Sequence, residues 1–199
     1  MPKSNETEVE QVAQIQAEVD LGTDPELAAE LKRRVEVDQK ARMELIESMK
    51  GGKPISPELS ESLTKIDEEN TTWLSEIVDD QGWPGKTLVG TKGAHDAWLL
   101  VQHADRSPEF QKKCLELMVQ AEDGEIAKTD IAYLTDRVLV AEGQPQRFGT
   151  QCEFVDGKAQ VKLVEDPDNL DQRRKEYGLG PIAEYLKQIE TVYSQSSDK

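Results

Sequence analysis

Cysteine is scarce, with two in 199 residues, Cys114 and Cys152. They are too few and too far apart for a disulfide framework and have no metal-ligand spacing. Cys114 falls on the apolar stripe of a helical segment and is expected as a small buried hydrophobe. Cys152 opens a strand-like segment, and a reducing compartment is the simpler reading of both. No apolar run approaches the roughly 20 residues of a membrane span. The opening MPKSNETEVEQ is acidic and without an apolar segment, so no secretory leader is expected. Basic residues are outnumbered, 24 Lys and Arg against 40 Asp and Glu, for a formal net charge of −16. That charge repels phosphate backbones and anionic lipid surfaces, which excludes nucleic acid and membranes as expected partners. There is no phosphate-cradling loop, dinucleotide fingerprint or serine nucleophile elbow, and no cofactor is expected. What remains is an acidic, cytoplasmic globular protein, long enough to build its own core without a disulfide or structural metal.

Helix signals dominate. Thr23-Asp24-Pro25-Glu26 reads as a cap followed by a first-turn proline, opening a helix to about Lys50 that Gly51-Gly52 ends. Ser56-Pro57-Glu58 opens a second helix to about Asp80. A Gly-rich loop is expected from Gly82 to Gly93, then a third helix over Ala94 to Ala104. Ser107-Pro108-Glu109 starts a fourth that stops at Gly124, and Thr129-Asp130 caps a fifth that stops at Gly143. Cys152 to Val155 and Ala159 to Leu163 flank Asp156-Gly157, a hairpin turn pair. Two short helices, about Pro167 to Tyr177 and Pro181 to Tyr193, close the chain. The fold class is mostly α, a compact helical domain with an antiparallel helix pair, a buried central helix and one small β-hairpin. A single domain spans 23–193, between a mobile acidic tail, 1–22, and a short tail, 194–199.

The inward faces carry polar interruptions. At 100° per residue, Leu27, Leu31, Val35, Leu45 and Met49 share a stripe, and Asp38 and Arg42 lie inside it at ion-pair spacing. On a core face such a pair meets a desolvation cost of several kcal/mol per ion. In the second helix Leu59, Leu63, Ile66, Trp73 and Ile77 set the stripe, with Asn70 in its middle and Asp67 at its edge. The short connection makes the two helices antiparallel. Pairing Met49 with Leu59 puts Asp38 opposite Asn70, and Arg42 near Ile66 and Asp67. The third helix is apolar almost all round, hence central, yet carries Gln102 and His103. Asp136 and Arg137 interrupt the fifth helix. Gln144 to Gln151 adds amides and a guanidinium beside Gly149.

The motifs Val37-Asp38-Gln39 with Arg42, Asp67-Glu68-Glu69-Asn70, Gly82-Trp83-Pro84, Trp98 to Asp105 (WLLVQHAD), Tyr133 to Val138 (YLTDRV) and Gln146 to Gln151 (QRFGTQ) resemble a bacterial family of unknown function, frequent in actinobacteria. The resemblance spans about Leu27 to Leu186 and implies no activity. Its motifs coincide with the inward polar residues.

These residues point to acid/base chemistry on a small molecule, hydrolase- or lyase-like, in a helix-lined polar pocket. His103 would move the proton, with Asp38 or Asp136 orienting it. Arg42, Arg137 and Arg147 would hold an anionic group. Asp67, Asn70, Gln102, Gln146, Thr150 and Gln151 would complete substrate binding. A metal is not expected, for there is no i, i+4 histidine pair and no Glu-x-x-His, although Asp38, Asp67, His103 and Asp136 would make a carboxylate-rich group if they converge. Gly82-Trp83-Pro84-Gly85 reads as a turn with a packing Trp, or as a lid. The alternative to an enzyme is a non-catalytic module that binds a ligand or a protein, in which His103 is a satisfied core histidine and the ion pairs fix helix register. Oligomeric state is not legible.

Overall fold

The computed structural model describes residues 22–50, 54–155 and 157–194. It contains α1 (Pro25–Lys50), α2 (Pro57–Gln81), α3 (Lys86–Gln102), α4 (Pro108–Gln120), α5 (Lys128–Ala141), β1 (Cys152–Val155), β2 (Lys158–Val161), α6 (Leu170–Glu176) and α7 (Ile182–Ser194), with a 3-10 turn at Pro167–Asn169 before α6. The protein is mostly helical with one two-stranded antiparallel hairpin. No helix among the described residues is long and apolar enough to cross a membrane. The expected tails, 1–22 and 194–199, lie outside the described residues except for Gly22 and for Ser194, which is the last residue of α7; the Gly51-Gly52 stop lies outside them too.

Helix starts follow the capping chemistry of the sequence. Asp24 Oδ1 accepts from the Leu27 amide at 2.9 Å, and Ser56 Oγ from the Leu59 amide at 3.1 Å. Pro57 and Pro108 occupy first-turn positions, where a missing N–H costs nothing. α1 and α2 are antiparallel, since Arg34 meets Asn70 while Arg42 meets Asp67. α3 is the hub, packed against α1, α2, α4 and α5. Its Ala97, Trp98, Leu100 and Val101 join Leu31 of α1, Leu74 of α2, Cys114 and Met118 of α4 and Leu134 of α5 in one core. Each fully buried leucine there contributes about 1.5–3 kcal/mol. Burial pushes the Cys114 thiol up to about 12, so the residue is inert packing.

Two expectations about boundaries need correction. Most of the supposed Gly82–Gly93 loop is helix. α3 starts at Lys86, and its backbone breaks only at Gly90, with φ 75° and ψ 168°. The glycines serve a chain crossing: Thr23 and Asp24 donate their amides to the carbonyls of Thr87 and Leu88, at 3.0 and 2.8 Å. A Cβ on Gly22 would sit 2.4 Å from the Leu88 oxygen. Gly90 adopts a backbone region that essentially only glycine enters, so Gly90→Ala is expected to lose about 1–3 kcal/mol, read from thermal or urea unfolding. An unchanged midpoint would show that the break relaxes freely. The second correction concerns α5, whose N-cap is Ala127, not Thr129-Asp130. Asp130 turns instead toward His95.

The hairpin pairs Cys152 with Val161, Glu153 with Gln160, Phe154 with Ala159 and Val155 with Lys158. Gly157 takes the positive φ the turn requires, while its partner Asp156 lies outside the described residues. α7 packs on β2 and α6. Gly178 has a positive φ just after α6, the left-handed cap expected there.

Candidate functional site

The site is built where α1, α2 and the end of α3 meet. Asp38 is fully buried on α1. Arg42, one turn on, sends Nε to Asp38 Oδ1 at 3.0 Å and Nη2 across to Asp67 Oδ1 of α2 at 2.5 Å. His103, the C-cap of α3, brings Nδ1 to 3.0 Å from Asp38 Oδ2. Arg42 Nε also lies 3.0 Å from Nδ1, but the carboxylate is the stronger acceptor for its single hydrogen. On that ground we assign the Nδ1 proton to the contact with Asp38, which leaves Nε2 as the free ring nitrogen. Arg42 Nη1 makes no hydrogen bond among the described residues.

The two carboxyl groups are driven apart. Burial raises Asp38, but the hydrogen bond and charge of His103, the Arg42 guanidinium and the Gln39 amide outweigh it and hold the carboxyl below its ordinary 3.8. Burial raises Asp67 as well. There the opposing charges of Arg42 and His103 are too weak to cancel it, and the neighbouring Asp38 and Asp105 push the same way, so Asp67 stands above 3.8. A pair of carboxyl groups separated in this manner is how one site holds both an acid and a base.

Arg137 is held beside this cluster rather than in it. Its Nη1 donates to both oxygens of Asp105, at 2.7 and 2.9 Å. Asp105 Oδ1 also accepts from Gln111, which is 1 % exposed and caps the end of α3 through the carbonyls of Val101 and Gln102. The side chain of Gln102 is half-buried and its carbonyl is the contact it makes. Asn70 is buried, but its oxygen takes Arg34 at 3.1 Å, one turn away from the Asp38 that it was expected to face.

The remaining expected site residues form a separate knot. Asp136 is fully buried and accepts from the amides of Arg147, Phe148 and Thr150 at 2.8, 3.0 and 2.8 Å, and from the Thr150 hydroxyl at 2.9 Å. It is engaged with its own loop, not with His103. Gln146 is equally buried: Nε2 donates to the carbonyls of Gln151 and Lys162, while Oε1 accepts the Gln151 amide. The Gln151 side chain donates to Thr150. Arg147 is exposed and pairs with Glu165 at 3.1 Å. The QRFGTQ segment is thus wrapped around one carboxylate, because a buried loop must satisfy its backbone donors somewhere.

Three residues escaped the sequence reading. Arg34 stands four before Asp38 on the same stripe, a signal that was present. It stacks over Trp73, 4.2 Å from the ring centroid. Gln111 stands three before Cys114 and seven before Met118, on the apolar stripe of α4, so its signal was present as well. Arg174, 1 % exposed, donates to the carbonyls of Phe148 and Gly180, both at 2.6 Å, yet reads in sequence as one of a run of surface cations.

Three surface hollows have other linings. A groove of about 420 Å³ is bounded by Arg34, Glu68, Trp73 and Glu76, and one of about 440 Å³ lies along α7 at Glu184 to Thr191. A narrower crevice of about 260 Å³ runs between α1 and α3. Among the described residues, the group able to hold a metal ion is Asp38, Asp67 and His103, with ligand atoms within 4.8 Å of one another. Arg42 already places its positive charge among them.

No curated protein and no solved structure matches the chain. A family model does match, over residues 25–197, from the first residue of α1 to beyond the end of α7. The chain therefore belongs to a family of unknown function, DUF6624.

Proposed function

We propose that the chain is an enzyme of acid/base chemistry, hydrolase- or lyase-like, that acts on a small molecule at the His103 cluster. The observation that carries this reading is the seating of His103 Nδ1 on the buried carboxylate of Asp38. That contact orients the ring and leaves Nε2 as the nitrogen placed to take a proton. His103 would take a proton from water or from an activated carbon. Asp67, which keeps its proton to higher pH than Asp38, would return one to the leaving group. Arg42 Nη1 would meet an anionic group of the substrate.

One observation favours a second reading, a non-catalytic module. Arg42 already bridges two carboxylates, so the cluster is largely paired within itself and can act as a register lock for α1, α2 and α3. A thermal-shift screen of small esters, amides and carboxylic acids separates the two, followed by turnover assays on every stabilising compound. The enzyme reading expects hits whose effect disappears in His103→Ala and Arg42→Ala, and turnover that falls by about 10²–10⁴-fold in His103→Ala while the fold persists. If no compound stabilises the protein and both variants simply melt earlier, the network is structural.

A further inference from the structure

α1 and α3 cross closely because their contact residues are small. A Cβ placed on Gly93 would lie at ordinary contact distance, 3.6 Å, from the Cβ of Ala28 on α1, and 2.7 Å from that of Val89 within α3 itself. Beside the crossing the small residues leave the crevice of about 260 Å³, floored by Ala28, Ala29, Val89 and Gly93. Asp96 forms one end of it. This carboxylate is buried, with 2 % of its side chain exposed. Both its oxygens take hydrogen bonds from Lys92 Nζ, at 2.8 and 2.7 Å, yet the Lys92 side chain is 66 % exposed.

That arrangement resembles that of Asp130, held by the half-exposed His95, and differs from those of Asp38 and Asp136. Asp136 is met by three backbone amides and a hydroxyl, and Asp38 by groups from two helices. These donors are held by the fold. The partner found at Asp96 is a rotatable ammonium on a four-carbon stem, whose departure leaves the buried carboxylate unpaired unless another cation takes its place. A buried carboxylate served by a removable primary ammonium, at the end of an apolar crevice, is the chemistry of a seat for another primary ammonium. One carboxylate does not make a site for a hard divalent cation, which needs about six oxygens. The crevice is smaller than the usual range for drug-sized ligands, roughly 300–1,000 Å³, so its guest is small. A formal charge of −16 draws organic cations toward the protein as a whole.

We propose that the α1–α3 crevice binds a small primary alkylammonium compound, whose head group replaces Lys92 on Asp96 and whose short chain lies against Ala28, Ala29, Val89 and Gly93. Lys32 also lines the crevice, and its exposed ammonium pairs with Glu36 at 3.8 Å. The site is separate from the His103 cluster and stands or falls without it.

The test is a ¹H–¹⁵N NMR titration of the full chain with n-butylammonium chloride, against sodium chloride at matched ionic strength. The expected result is saturable shifts confined to amides of 25–32 and 89–96, with a Kd on the order of 1 mM for so small a guest. Lys92→Ala vacates the seat and should bind about tenfold more tightly, and Asp96→Asn about tenfold more weakly. Should Asp96→Asn fail to fold, Ala29→Leu supplies the test, since it fills an exposed wall and leaves the ion pair in place; it should abolish the shifts. The proposal is overturned if wild type and Lys92→Ala both show no saturable shift. It is equally overturned if the shifts survive unchanged in Ala29→Leu, or if sodium butyrate produces the same ones.

Discussion

Asp136→Ala should lose about 3–5 kcal/mol of stability. The variant strands the amides of Arg147, Phe148 and Thr150 and the Thr150 hydroxyl, four donors that converge on one carboxylate in a buried setting. The damage should spread. Arg174 of α6 donates to the Phe148 carbonyl and Tyr185 of α7 to the Thr150 carbonyl, so the last two helices hang on the same loop. Asp136→Asn keeps the shape but sets an amide group against amide donors, and should lie between wild type and alanine. Urea unfolding gives the magnitude. Hydrogen exchange gives the place, with protection lost first at 147–150 and then in α6 and α7. A loss below about 1 kcal/mol, the worth of a single ordinary hydrogen bond, would mean that water or a rearranged loop serves those donors equally well.

Asp38→Asn and Asp67→Asn should change the pH dependence of stability in opposite directions. Asp38 titrates below its ordinary 3.8 in the folded protein. Its stabilising contribution is present above that value and is lost as pH falls through the lowered pKa, because the unfolded chain takes up the proton first. Asp67 titrates above 3.8 when folded. Between 3.8 and its raised pKa the folded state binds more proton, so this group favours folding as pH falls and opposes it as pH rises. Asp38→Asn should thus destabilise at neutral pH by about 3–5 kcal/mol, since it leaves Arg42 and His103 beside a buried amide, and should flatten the acid limb of the profile. Asp67→Asn should cost little at neutral pH and should steepen the decline toward acid. Midpoints of urea unfolding from pH 3 to 7 read both. Parallel profiles for the two variants would show that the carboxyl groups are not driven apart.

The helices, their order and the hairpin were legible because each rests on short-range chemistry. Asp24 and Ser56 cap α1 and α2 with their own side chains, and Gly157 can turn the hairpin wherever it is placed. The Asp38–Arg42–Asp67 contact was legible too, since two independent stripes put their polar members at one level. Asn70 was misplaced by one turn, because Arg34 outreaches the shorter Asp38 side chain to claim it. The Gly82–Gly93 segment misled for a different reason. Its glycines serve the crossing of residues 22–24 over 87–90, a contact between segments more than 60 positions apart. Asp136 of YLTDRV and the QRFGTQ loop, read as pocket lining, bind each other, while Arg137 and Arg147 pair with Asp105 and Glu165.

The sequence by itself determined that this chain is helical, acidic and built around α3, and that charged groups must enter its interior. Stripe periodicity and net charge are properties of neighbours in the chain, and they survive any arrangement of the helices. Which buried charges would meet was decided only by tertiary structure. A carboxylate such as Asp38 or Asp136 takes whatever donors packing brings within 3 Å, and the position of those donors depends on helix crossings and loop paths that no local pattern records.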